Sequence, residues 1–90
     1  MSKGDKLLER MRANPKGDWR IEDIEVLCRH FDIACEAPRR GSHYTVSHET
    51  QAEIVTVPFK RPIKPVYIRE LVRFVDAVEA ARANAESKDG

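Results

Sequence analysis

The chain of 90 residues is long enough for one small folded domain and too short for two hydrophobic cores. Hydrophobic residues make up 41% and charged residues 34%, which is typical of a globular chain and excludes a disordered or membrane-embedded one. The net charge of +1 conceals a basic middle, because residues 39–73 carry seven basic and three acidic side chains. This distribution favours a local anionic partner.

The first third of the chain predicts two helices. Residues 1–15 contain a short apolar stripe, begin with Ser2 and Asp5 as a capping box, and end at a proline and glycine turn. Over residues 19–31 the apolar side chains recur at the i, i+3, i+4, i+7 spacing of an amphipathic helix. These side chains are Ile24, Leu27, Cys28 and Phe31.

The middle of the chain changes to the alternating period of β-strands. Short strands are predicted around Ile33 and Cys35, around Tyr44 and Val46, and over residues 54–57, which are rich in β-branched side chains. Residues 58–65 hold three of the five prolines and predict an irregular loop. The last of these prolines is well placed to open a final amphipathic helix that extends past residue 78.

The resulting order, α-α-β-β-β-α, predicts an α+β fold in a single domain over residues 1–90. A three-stranded antiparallel sheet with one apolar face needs helices on that face. This arrangement is that of double-stranded-RNA-binding-type domains. We divide the domain into an N-terminal helical extension (residues 1–15), a core (20–82) and a frayed tail (83–90).

The sequence gives no support for a membrane protein, a disulfide-bonded protein or a metal-binding protein. No segment approaches the about 18 apolar residues of a membrane span, so we expect a cytoplasmic protein without a membrane partner. Cys28 and Cys35 form no C-x-x-C pair and read as buried thiols, not as a zinc site or a disulfide framework. No cluster of carboxylates, cysteines or histidines has ligand spacing, so we expect neither a metal nor a cofactor.

Strand alternation singles out one histidine. If Tyr44 and Val46 point toward the helices, His43 points outward at the end of a flexible basic turn. His48 lies five residues further on, an odd separation, and therefore faces the other way. His30 stands at the end of the second predicted helix, where a histidine usually caps the helix. The pattern predicts a single working imidazole.

An exposed histidine among cations fits the cleavage of RNA. That reaction needs a base for the 2′-hydroxyl proton, an acid for the leaving 5′-oxygen and donors for the charge on phosphorus, and a histidine pKa near about 6.5 suits the proton transfers. Arginine and lysine supply the donors. The candidates are Arg39, Arg40, Lys60, Arg61 and Lys64. On residue types alone, an ordinary solvated surface would show the same pattern.

Two sequence strings in their context resemble the HicA family of bacterial toxin-antitoxin systems, over about residues 20–80. They are Arg40-Gly41-Ser42-His43-Tyr44 before a strand, and Val55-Thr56-Val57-Pro58 before a basic, proline-containing loop and a terminal helix. The resemblance implies a double-stranded-RNA-binding-type fold, ribosome-independent mRNA interferase activity and a HicB-type antitoxin as partner. The Gly-Ser-His motif of the family maps onto Gly41, Ser42 and His43, which implies that His43 is catalytic.

The chain also departs from this family. Members usually begin near the second predicted helix, so residues 1–15 are an extension, which we expect to give extra cover to the core. Phe59 follows Pro58 at a position where many members carry histidine, so the loop offers no second catalytic histidine.

The sequence bears on three other functions. A module of the same fold could bind RNA through its backbone and 2′-hydroxyls without cutting it. A protein-interaction subunit would use the first helix and the exposed face of the sheet. A DNA-binding helix-turn-helix is disfavoured, because the second helix carries Glu22, Asp23 and Glu25 on its polar face, which repels phosphate.

Overall fold

The computed structural model describes residues 2–88, with side chains through residue 85. It has three helices and a three-stranded antiparallel sheet, which confirms the predicted α+β class and the order of elements. The elements are α1 (Lys3–Ala13), α2 (Ile21–His30), β1 (Ala34–Glu36), β2 (His43–Ser47), β3 (Val55–Pro58) and α3 (Pro65–Lys88).

The sheet has β2 at its centre, between β1 and β3. Cys35, Val46 and Val55 lie opposite one another across the three strands on the side of the helices. Glu36 and Thr45 belong to the other face, where the next row across the strands is polar and exposed or half-buried. The period-2 alternation of the sequence is therefore realised as one core face and one solvent face.

The core lies between the sheet and the helices. α2 packs against β1, α3 packs against β3, and α1 contacts both other helices. The apolar stripe of α3 is buried as predicted, with Ile68, Leu71 and Val75 fully inaccessible. The thiols are both free, but only Cys28 is buried, and Cys35 is half-buried.

The N-terminal extension is part of this core. Ser2 caps α1 by accepting a hydrogen bond from the backbone N–H of Asp5, and Leu7, Leu8 and Met11 are buried. Gly4 allows α1 to approach α2, since a Cβ at this position would lie 1.9 Å from Cγ of His30. His30 therefore serves as a contact between the two helices, with a ring nitrogen 2.9 Å from the Ser2 hydroxyl.

The last helix is longer than the sequence predicted. α3 continues to Lys88, through most of the segment that was expected to fray, and residues 89 and 90 lie outside the described residues. Alanines at positions 80, 81, 83 and 85 have a high helix propensity and favour this continuation. Across the part of the chain that the structure describes, no helix has the length and apolar character needed to cross a membrane.

Candidate functional site

His43 occupies the end of the central strand. It is the first residue of β2, pairs with Pro58 of β3 and is exposed on the face away from the helices. The Ser42 hydroxyl lies 3.4 Å from its Nδ1, at the long limit of a hydrogen bond. No other side chain among the described residues hydrogen-bonds this ring, so the imidazole is accessible to a ligand.

The turn before His43 depends on a glycine. Gly41 adopts φ +90°, a region that L-residues rarely enter, although no atom lies within 4 Å of the position that a Cβ would occupy. The glycine is thus required by backbone conformation and not by space. Arg39 and Arg40 on the same turn are exposed, and within the described side chains neither makes an ion pair.

The second cationic segment, residues 59–64, is attached to the linker between α1 and α2. Arg61 makes a bidentate ion pair with Asp18, through Nε at 3.1 Å and a terminal nitrogen at 2.5 Å. The hydrogen bond from Arg61 lowers the pKa of the Asp18 carboxyl below its ordinary value. The backbone N–H of the buried residue Ile63 donates to the carbonyl of Trp19 at 3.0 Å. These contacts fix the course of the segment.

The structure brings the two cationic segments to the same end of the β2–β3 pair. The backbone N–H of Phe59 donates to the carbonyl of Ser42 at 3.0 Å, one step beyond the pair formed by His43 and Pro58. Lys60 and Lys64 are exposed, and neither has an ion-pair partner among the described side chains. Of the cations that the sequence singled out, Arg61 is the one held by a carboxylate.

The other two histidines lie elsewhere and are engaged. His48 follows β2 on the side of the helices, in agreement with its odd separation from His43. Its Nδ1 lies 2.8 Å from the Thr50 hydroxyl and its Nε2 lies 3.1 Å from Arg82 of α3. His30 contacts α1, as described above. The geometry leaves one imidazole at the end of the sheet.

Sequence reasoning did not identify two residues beside this site as functional candidates. Asp18 lies 43 residues from its partner Arg61, and no local pattern marks such a pair. Phe59 is 46% exposed, and its ring meets Tyr44 edge to face with 6.1 Å between ring centroids. The sequence does contain a feature that could have identified Phe59. It is an aromatic residue in a predicted loop, directly after a proline and before three cations.

Metal ligands and known relatives give no further guide to the site. Within residues 2–88, no three histidine, cysteine or carboxylate side chains converge as a metal site would require. No protein-family model, curated protein or solved structure matches this chain. The resemblance to HicA therefore depends on the residues of the motif and on their context alone.

Proposed function

We propose that this protein is a ribonuclease toxin of the HicA type that cleaves mRNA independently of the ribosome. The observation that carries the proposal is the exposed imidazole of His43, which follows Gly41 and Ser42 and stands at the meeting point of two cationic loops. We also propose the finer fold assignment, a double-stranded-RNA-binding-type domain to which α1 has been added. The α+β order and the sheet uncovered on one face are compatible with it.

In the proposed reaction, His43 acts as the general base. Its ring accepts the proton of a ribose 2′-hydroxyl, and the 2′-oxygen attacks the adjacent phosphorus and displaces the 5′-oxygen. The products carry a 2′,3′-cyclic phosphate and a 5′-hydroxyl. Arginine and lysine side chains of the two loops stabilise the charge on phosphorus, and a lysine or a water protonates the leaving oxygen. The proton transfers require no metal.

The proposed partner that neutralises the toxin is a HicB-type antitoxin, and the proposed location is the cytoplasm. A surface for such a partner is available on the face of the sheet that no helix covers. Glu36, Thr45 and Thr56 cross the middle of this face, and His43 lies at its end. An antitoxin on this face would cover the imidazole. The same face would serve a protein-interaction subunit that does not bind RNA.

The second candidate is an RNA-binding module of the same fold that does not cut. The engagement of His30 and His48 favours it, because it leaves His43 without a second imidazole as general acid. Both candidate functions use the cationic loops to bind RNA, and they differ in whether the bound RNA is cleaved.

The test compares the purified protein with His43→Ala on RNA, with and without EDTA, and maps the product ends. We expect the substitution to lower cleavage by at least about 10²-fold, the contribution of a general acid or base, and to abolish growth inhibition. Folding and antitoxin binding should persist because the side chain is exposed.

Thr45→Ala is the matched control, two residues further along the same face of β2. Cleavage by His43→Ala at the rate of the unsubstituted protein, or loss of cleavage in EDTA, would contradict the mechanism. RNA binding by the unsubstituted protein without cleavage would favour the second candidate.

A further inference from the structure

Phe59 is the aromatic member of a small set of large apolar side chains that the described residues leave exposed. The others are Val26, Ile54 and Val66. Burying a phenylalanine ring stabilises a fold, and a ring that is 46% exposed leaves part of that stabilisation unused.

The position of Phe59 is fixed by its neighbours. Its backbone N–H donates to Ser42 and so extends the β2–β3 ladder by one step. Its ring packs edge to face against Tyr44, which is itself half-buried against the core. A ring that is held on one side and exposed on the other offers a flat apolar surface at a low cost in conformational entropy.

The surroundings of this ring are cationic. Lys60 follows it directly, and the turn that carries Arg39 and Arg40 lies across the ladder, next to Ser42. An aromatic ring among lysines and arginines is the combination by which proteins bind single-stranded nucleic acids, since bases stack on the ring and phosphates meet the cations. The charge around the ring therefore favours RNA as its occupant.

The register relates the ring to His43. Pro58 pairs with His43, and Phe59 is the next residue along the chain. The ring of Phe59 contacts Tyr44, whereas His43, the residue before Tyr44 in β2, points to the opposite face of the sheet. A nucleotide whose base lies on Phe59 would pass its sugar and phosphate around the end of the two strands toward His43.

We propose that Phe59 stacks against an unpaired base of the RNA substrate and thereby positions the neighbouring phosphodiester at His43. This inference rests on the proposed ribonuclease function and narrows its substrate class to single-stranded RNA. A base inside a duplex is stacked between its neighbours and cannot present a face to the ring.

The experiment measures binding instead of cleavage, in a protein that carries His43→Ala. Three fluorescent probes of equal length are compared by anisotropy: a single-stranded RNA, the same RNA with every base removed from its central nucleotides, and its duplex. We expect Phe59→Ala to weaken binding of the first probe by about 5- to 150-fold, the range for one stacked base. Binding of the abasic probe should change by less than about twofold.

Two variants separate stacking from packing. Phe59→Leu keeps apolar bulk against Tyr44 without the aromatic face and should weaken binding nearly as much as Phe59→Ala, whereas Phe59→Trp should retain it. Ile54→Ala is the matched control, because it removes an exposed apolar side chain at the other end of β3 and should leave binding of all probes unchanged.

The possible outcomes are distinct. Failure of the His43→Ala protein to bind any probe would overturn the proposed function together with this inference. Binding that does not depend on Phe59, or that Phe59→Ala weakens equally for all three probes, would overturn the stacking role alone. Unchanged RNA binding with weakened binding of a protein partner would assign the ring to a protein interface instead.

Discussion

The two cationic loops at the end of the β2–β3 pair are attached to the fold in different ways. Residues 59–64 are fastened at three points, by the backbone bond of Phe59, the ion pair of Arg61 and the backbone bond of Ile63. Residues 39–42 share the first of these bonds through the carbonyl of Ser42, but they have no ion pair among the described side chains, and Gly41 adopts a positive φ. Both loops carry exposed cations on the same end of the sheet.

This difference shows that cations that look alike in a sequence serve different purposes in the fold. Arg61 pairs with Asp18 of the linker before α2, so Lys60 and Lys64 lie on a loop that is already held in place. A preformed site loses less conformational entropy when it binds. Arg39 and Arg40 lie on a turn with fewer restraints, which can adjust to a ligand and loses more entropy on binding.

The largest effect is expected from a substitution that loosens both loops together. Leu71 is fully buried at the centre of the apolar stripe of α3, which begins directly after the second loop. Leu71→Ala should lower the free energy of unfolding in a denaturant titration by about 2–5 kcal/mol through lost burial and a cavity. Glu70→Ala, exposed on the same helix, should change it by less than about 0.5 kcal/mol.

A loss below about 1 kcal/mol for Leu71→Ala would mean that α3 contributes less to the common core than its burial indicates.

A smaller effect should distinguish the two loops from each other. Replacing Lys60 and Lys64 by Gln removes two cations from the fastened loop, and replacing Arg39 and Arg40 by Gln removes two from the other. Each lost phosphate contact should flatten the slope of log K against log salt by about 0.7 for single-stranded RNA, so up to about 1.4 for a pair. Binding is measured in the presence of His43→Ala to prevent cleavage.

At a single salt concentration, we expect the lysine pair to cost more affinity than the arginine pair, because its loop is preformed. Equal losses of affinity would mean that the way a loop is attached to the fold has no effect on RNA binding. Unchanged slopes for both pairs would place the RNA-binding surface elsewhere on the protein.

The parts of the molecule that follow from local periodicity could be predicted. The 3.6-residue spacing predicted α2 and α3, and the alternation in β2 predicted that His43 faces solvent; the structure has both features. The proline and glycine content of residues 38–42 predicted the turn, and Gly41 does adopt a positive φ. These features are determined by residues close together in the chain, so a single sequence is enough to predict them.

The parts that depend on distant contacts could not be predicted. The sequence assigned Arg61 to phosphate binding, and nothing near it indicated that Asp18 would pair with it from across the fold. His30 looked like a helix cap, and its contact with Gly4 depends on how α1 packs against α2. Tertiary contacts between residues far apart in the chain leave no periodic signal.

The smallest expected effect is a change in the salt slope of RNA binding, which tests whether Arg61 holds the loop in place or binds phosphate. If Arg61 holds the loop in place, Arg61→Gln should leave the salt slope of RNA binding unchanged, because Asp18 already balances the charge of Arg61. Asp18→Asn should instead release the guanidinium and steepen the slope by about 0.7, as one more cation meets the RNA. Arg61→Gln flattening the slope as much as Lys60→Gln would show that Arg61 binds phosphate.

Acid titration tests the same ion pair without RNA. The Arg61 hydrogen bond lowers the pKa of Asp18 in the folded protein below its ordinary value of 3.8. The pair therefore stabilises the loop fully above pH 3.8 and is lost as the pH falls through the lowered pKa. The amide NMR signal of Ile63, two residues from Arg61, should shift with a midpoint below 3.8 in the unsubstituted protein and should show no such step in Asp18→Asn. A midpoint at or above 3.8 would mean that the carboxylate does not hold the loop in solution.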